Sequence, residues 1–168
     1  LCLNESRPHS PPTGQDDPRL ELLRQWLERD LGMREYGIAP ASADASFRRY
    51  FRVSGNGATY IVMDAPPDKE DMRPFIEIAH RLHHLVLNVP EVLEQDPARG
   101  YLLLTDLGQQ MYLPQLNEST VERLYGDALG ALVVLQAGIF TEPGFLPEYD
   151  EALLRREAGD LGAHGVDD

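Results

Sequence analysis

Cysteine is almost missing from this 168-residue chain, with Cys2 the only one. An intrachain disulfide is therefore excluded, as is a metal centre built on paired thiolates. A reducing, cytoplasmic setting is expected. Lysine is equally scarce: Lys69 stands alone among 15 lysines and arginines. Positive charge is short overall, since 28 acids leave a net charge of −13. A nucleic-acid groove needs clustered Lys and Arg, so that class of partner is excluded. A single phosphate-bearing ligand is not, because a few local donors suffice for it. No apolar run approaches the ~20 residues of a membrane span. No basic segment followed by an apolar one opens the chain, so neither a membrane partner nor a signal peptide is expected. Internal repeats are also lacking.

What is present suits one ordinary domain, or one lobe with extensions: 42% hydrophobic residues and 26% charged. Residues 1–16 are rich in proline and polar side chains and are expected to form a disordered leader. Asp17-Pro18 then opens a helix, Asp as cap and Pro at the first position. Leu20, Leu23, Trp26, Leu27 and Leu31 share one face of it, and Gly32 suits a left-handed stop. Tyr36-Gly37-Ile38 leads toward a loop at Pro40 and the small residues after it.

The most informative stretch is Ser42–Pro67. It reads as a small-residue loop, a strand over Phe47–Val53, an Asn56-Gly57 hairpin turn, a second strand over Tyr60–Asp64, and a Pro66-Pro67 stop. Phe47, Phe51 and Val53 are expected on one side of the first strand, with Arg48, Tyr50 and Arg52 on the other. A strand pair roofed by such a loop is how kinase-like enzymes cover ATP phosphates. A helix from Pro74 to about Leu87 follows, with Asn88 as its stop. Strands are expected at Pro90–Glu94 and Tyr101–Thr105, and Asp106-Leu107-Gly108 breaks the pattern. Ser119 to Glu122 reads as a capping box for a helix running to about Gln136. The apolar face of that helix, left uncovered, would promote self-association. Residues 150–157 read as helical, and 158–168 as a loose tail. The fold class expected is α+β, an antiparallel sheet with helices segregated to one side.

The segments DASFRRYFRV (Asp44–Val53), MDAPPDKEDMRPF (Met63–Phe75), VPEVL (Val89–Leu93), YLLLTDLG (Tyr101–Gly108) and YDEALLRRE (Tyr149–Glu157) carry a resemblance. The chain resembles the aminoglycoside-phosphotransferase-related sugar kinases. Within them it is most similar to the bacterial anomeric kinases of cell-wall recycling, which phosphorylate N-acetylmuramate and N-acetylglucosamine. The resemblance covers roughly Leu20 to Glu157, the first half of a family member. It implies a kinase-like N-terminal lobe over residues 17–108, then a linker and the first helices of the second lobe over 109–157. The tail at 158–168 is atypical of the family. ATP and Mg²⁺ are the implied cofactors, and an N-acetylated amino sugar the implied substrate.

The same resemblance assigns roles. The backbone of Thr105, Asp106 and Leu107 would meet the edge of adenine. Ser42, Ala43, Asp44, Ala45 and Ser46 stand where kinases have G-x-G-x-x-G, their small side chains letting N–H groups reach phosphate oxygens. Asp44 is an awkward neighbour for a phosphate and is expected to brace the turn. The strand lysine of V-A-I-K is replaced by Met63 or Asp64, and Lys69 lies beyond the Pro-Pro stop. The cation would come from Arg48, Arg49 or Arg52, or from a different arrangement. Glu77 is the natural partner acid, though Arg73 and Arg81 on its own helix compete for it. Candidate cofactor-binding residues are thus Ser42, Ala43, Ala45, Ser46, Phe47, Arg48, Arg49, Glu77, Thr105, Asp106 and Leu107. His80 and His84 have metal-ligand spacing, but no third ligand accompanies them, so a polar helix face is expected. His164-Gly165-Val166-Asp167 starts like an H-G-D-x-x-x-x-N loop, with the wrong spacing and no following Asn. No residue is assigned as a catalytic base or metal ligand, and the chain is expected to be inactive alone. A non-catalytic nucleotide- or partner-binding module is the competing expectation.

Overall fold

The computed structural model describes residues 17–43, 47–55, 57–139 and 150–155. The expected leader and tail lie outside them. Helix α1, Pro18–Gln25, begins as the sequence predicts: the Asp17 carboxylate accepts the N–H groups of Arg19 and Leu20, each at 3.1 Å. It continues into a π-helical turn, Trp26–Asp30, whose wider winding shows in Leu31 N–H bonding the Trp26 carbonyl at 3.1 Å. Gly32, at φ +67°, ends the helix.

Strand β1, Tyr36–Ala43, was not expected. Pro40 suggests a loop because proline cannot donate to a ladder, yet β1 is an edge strand, where proline is tolerated. A register shift between Pro40 and Ser42 gives it a bulge. Strands β2, Arg49–Gly55, and β3, Ala58–Asp64, form the expected hairpin, with Gly55 opposite Ala58 and Gly57 at φ +77°. Asn56 lies outside the described residues. Phe47 does not open β2 as the alternation suggested; it precedes the strand and is exposed. Strands β4, Val92–Asp96, and β5, Tyr101–Thr105, complete an antiparallel sheet of order β1-β2-β3-β5-β4.

Helix α2, Arg73–His84, stops earlier than expected. Its end is a Schellman arrangement: Leu87 N–H bonds the Leu82 carbonyl at 3.2 Å and Val86 N–H bonds the His83 carbonyl at 2.9 Å. The left-handed position is held by Val86, at φ +60°, where glycine or asparagine is usual. A β-branched residue gives no sequence signal for such a stop.

The helices cover both faces of the sheet. Leu23, Trp26 and Leu27 of the first helical stretch pack on Phe51, Val53, Val62, Tyr101 and Leu103. Fully burying each such side chain is worth about 1.5–3 kcal/mol. Met63, Leu102 and Leu104 point the other way, against Met72, Phe75 and Ile76 at the start of α2. The α+β class stands, but the expectation of helices on one side is corrected. Strand alternation supplies a second apolar row, formed by Ile61, Met63, Leu102 and Leu104, and α2 covers it.

A short helix α3, Tyr112–Gln115, precedes α4, Val121–Gly138. The expected capping box does not form. Thr120 is the cap residue, and its hydroxyl donates instead to the Gln115 carbonyl at 2.6 Å. Leu124 is buried, but Tyr125, Leu129, Leu132, Val133 and Val134 are exposed. Gly138 lets α4 approach Leu85, since a Cβ there would stand 2.4 Å from Leu85 Cδ2. Among the described residues no helix is long and apolar enough to cross a membrane.

Candidate functional site

Three arginines in one short segment, Arg48, Arg49 and Arg52, take four different carboxylates. Arg49 faces the α1 side. Its Nε donates to Asp64 Oδ2 at 2.9 Å, and its Nη1 pairs with Asp17. Arg19 Nε donates to the other Asp64 oxygen at 3.0 Å and its Nη2 reaches the Arg99 carbonyl at 2.9 Å. Asp64 is fully buried, so two guanidinium groups grip one desolvated carboxylate. Burial pushes the Asp17 carboxyl up, but the Arg49 guanidinium and the N–H groups of Leu20 and Arg19 outweigh it and hold the group below its ordinary range. This network ties the start of α1 to β2 and β3. Sequence reading missed it, because ion pairs far apart in the chain leave no local pattern.

Arg48 and Arg52 take the opposite side. Arg48 Nη2 donates to Glu70 Oε2 at 3.3 Å, and both groups are partly buried. Arg52 lies opposite Ile61 in β3, which in turn pairs with Leu104 in β5. Its guanidinium forks onto Asp106, Nε to Oδ2 at 2.7 Å and Nη2 to Oδ1 at 3.0 Å, and also reaches the Gly108 carbonyl at 3.3 Å. The Arg52 hydrogen bond is the main reason that the Asp106 carboxyl is lowered to about 2, with the Gly108 N–H and the Thr59 side chain adding to it against the cost of burial.

That lowering sets a pH dependence. An ordinary Asp titrates near ~3.9, and folded Asp106 at about 2. The pair's contribution to stability is complete above the ordinary value and is lost as pH falls through the folded one. Urea titrations of the wild-type chain and Asp106→Asn are expected to differ by a constant amount between about pH 7 and pH 5 and to converge toward about pH 2. A gap that persists unchanged at the acid end would contradict the assignment.

The other candidate residues fall at two ends of this face. Ser42 pairs with Tyr50, and Ala43 with Arg49, at the end of β1 rather than in a loop. Ala45 and Ser46 lie outside the described residues, as does Asp44. Phe47 follows them, and Lys69 Nζ lies 5.9 Å from its ring centroid. At the far end, Thr105 is held on both sides: its N–H bonds the Glu91 carbonyl at 3.0 Å and its Oγ1 accepts Glu91 N–H at 2.9 Å. The backbones of Asp106 and Leu107 make no backbone hydrogen bond to another described residue. A groove of about 480 Å³ beside them is lined by Thr105, Leu107, His83 and residues 86–89 and 91. The α2–β4 contribution to it was not anticipated. Glu77 does not meet the β2 arginines; it accepts Arg81 Nε at 2.8 Å on its own helix. Met63 and Asp64, the two residues weighed for the strand-lysine position, are both fully buried, Met63 against α2 and Asp64 against Arg19 and Arg49.

The sequence pattern of the phosphotransferase enzyme family matches residues 37–168. The chain is 45% identical over 152 residues to an N-acetylmuramate/N-acetylglucosamine kinase of Pseudomonas aeruginosa, covering 84% of this chain and 44% of that relative. It is 44% identical over 153 residues to the protein of the same name in Pseudomonas putida, covering 85% and 44%. For the one in Neisseria meningitidis the identity is 38% over 140 residues, covering 80% and 41%. The chain thus spans under half the length of these curated relatives.

Proposed function

Because the chain belongs to the phosphotransferase enzyme family, we propose that residues 17–108 are the nucleotide-holding lobe of an ATP-dependent sugar kinase. Its substrate is an N-acetylated amino sugar of the N-acetylmuramate/N-acetylglucosamine class. Residues 109–157 begin the link to the second lobe. The observation that carries this reading is the α2-side face of the sheet. Arg52 in β2 and Arg48 just before the strand both face that side, four residues apart, about 13 Å if the chain is extended at ~3.3 Å per residue. Arg48 lies beside the small-residue segment in the sequence, and Arg52 beside Asp106 and Leu107, whose backbones make no backbone hydrogen bond to another described residue. A run of that length takes phosphates at one end and a base at the other.

The residues fit those two ends of ATP. N–H groups of the 42–47 segment and the Arg48 guanidinium suit phosphate oxygens. The backbone of Asp106 and Leu107 suits the hydrogen-bonding edge of adenine. In this reading Arg48 with Glu70 stands in for the lysine–glutamate pair of kinases. Arg49 and Glu77 take no part, because their carboxylate and arginine partners hold them elsewhere. ATP, when bound, supplies the phosphoryl group and its charge; the chain supplies position. Mg²⁺ does not fit here. Among the described residues no three His, Cys, Asp or Glu side chains come together, and Asp64 and Asp106 are both taken up by arginine. Its ligands, the catalytic base and most of the sugar site belong to the second lobe. The cytoplasm, where ATP is at hand, is the expected location.

Calorimetric titration of the 168-residue chain with ATP is expected to show binding, and a transfer assay with N-acetylglucosamine no turnover. Turnover would overturn the division of labour between lobes. The absence of any ATP binding would overturn the nucleotide reading itself. The exposed apolar face of α4 favours self-association of the isolated chain. Sedimentation should then report a mass above 18.9 kDa.

A further inference from the structure

We infer that Arg52 is a positioning residue for base recognition. Its guanidinium clamps the crossing at 105–108 so that the backbone edge of Asp106 and Leu107 is held ready for a planar nitrogen base. The inference rests on the nucleotide reading above.

One guanidinium makes three contacts with the crossing, two to the Asp106 carboxylate and one to the Gly108 carbonyl. Asp106 Oδ1 also accepts the Gly108 N–H at 2.9 Å. The segment is therefore closed into a ring of hydrogen bonds, with Gly108 at φ +89° making the return. Leu107 lies inside that ring, its side chain half exposed and its backbone bonded to no other described residue. The clamp is anchored in the sheet, because Arg52 lies in register with Ile61 and Leu104 in the middle strands. Any shift of the crossing relative to the sheet must break the fork.

A surface ion pair holding two free side chains would do little. This one is bidentate, and its carboxylate is 5% exposed. Its geometry depends on the planar fork of arginine, which lysine cannot reproduce. Holding backbone donors and acceptors in place before binding lowers the cost of ordering them on binding. It also sharpens discrimination, since a misfitted base leaves polar groups unpaired.

The test compares the wild-type chain with Arg52→Lys and Arg52→Gln, both expected to fold. Titrations use ATP, GTP and inorganic triphosphate. Each substitution is expected to weaken ATP binding about tenfold, and to reduce the ATP-over-GTP preference by a similar factor. Triphosphate binding should stay unchanged. Backbone ¹⁵N relaxation gives a second readout that needs no ligand: order parameters at Leu107 and Gly108 are expected to fall from ~0.85 toward ~0.6. Equal losses for ATP and triphosphate would overturn the inference. So would an equally rigid crossing in Arg52→Gln, whether or not nucleotide binds. A wild-type chain that binds no nucleotide sinks the nucleotide reading instead.

Discussion

Asp64→Ala is expected to destabilise the fold by about 3 kcal/mol, toward the lower end of the range for breaking a buried ion pair. Asp64 is fully buried, while Arg19 and Arg49 keep 32% and 37% of their side chains exposed. Removing the carboxylate leaves two like charges facing each other across the place it filled. Their partial contact with water keeps the loss from the top of the range. The effect should be local before it is global, because the same carboxylate joins β3 to the first residues of α1. Trp26, the chain's single tryptophan, packs against Tyr101 with ring centroids 5.5 Å apart. Its fluorescence should shift to the red at urea concentrations where the sheet still holds. A loss under about 1 kcal/mol by urea denaturation, the scale of an exposed pair, would mean that the network is ornamental.

Gly100→Ala is the second large effect, about 2–4 kcal/mol from a left-handed backbone and a collision together. Gly100 sits at φ +83°, and a Cβ there would stand 1.9 Å from the Ala65 carbonyl oxygen. The obstacle is backbone, so no rotamer relieves it. The chain must move apart at the one place where Ala65 N–H bonds the Gly100 carbonyl, at 2.8 Å. That opening would loosen Tyr101, the neighbour of Asp64 across the ladder. The two substitutions should therefore not add when combined. Denaturation midpoints for the singles and the double check both points; a Gly100→Ala chain as stable as wild type would refute the steric account.

How much of this was legible beforehand follows from which forces are local. The Asp17-Pro18 start, the Gly32 stop, the Gly57 hairpin and strand β5 were all readable, because each rests on the conformational preference of one or two residues. The apolar spacing of Leu23, Trp26 and Leu27 gave the buried face of the first helix. β1 was hidden by Pro40, a residue that argues against a strand everywhere but at an edge, and a sheet's edges are not visible before its topology. The early end of α2 was hidden by Val86 in a glycine's conformation. At the candidate site, alternation along β2 placed Arg52 on a side but could not name Asp106 as its partner. Arg49 was grouped with Arg48 from proximity in sequence, and the pleat separates them. Asp64 was weighed only as a stand-in for lysine; its true partners lie 45 and 15 residues away in the chain.

Met63 and Asp64 on β3 are fully buried, and Lys69 lies near Phe47, which follows the small-residue segment. Lys69 is the only lysine of the 168 residues. The same scarcity is an advantage at the bench: a dye ester that spares the chain's first amino group attaches at Lys69 alone, a single optical reporter beside the proposed phosphate end.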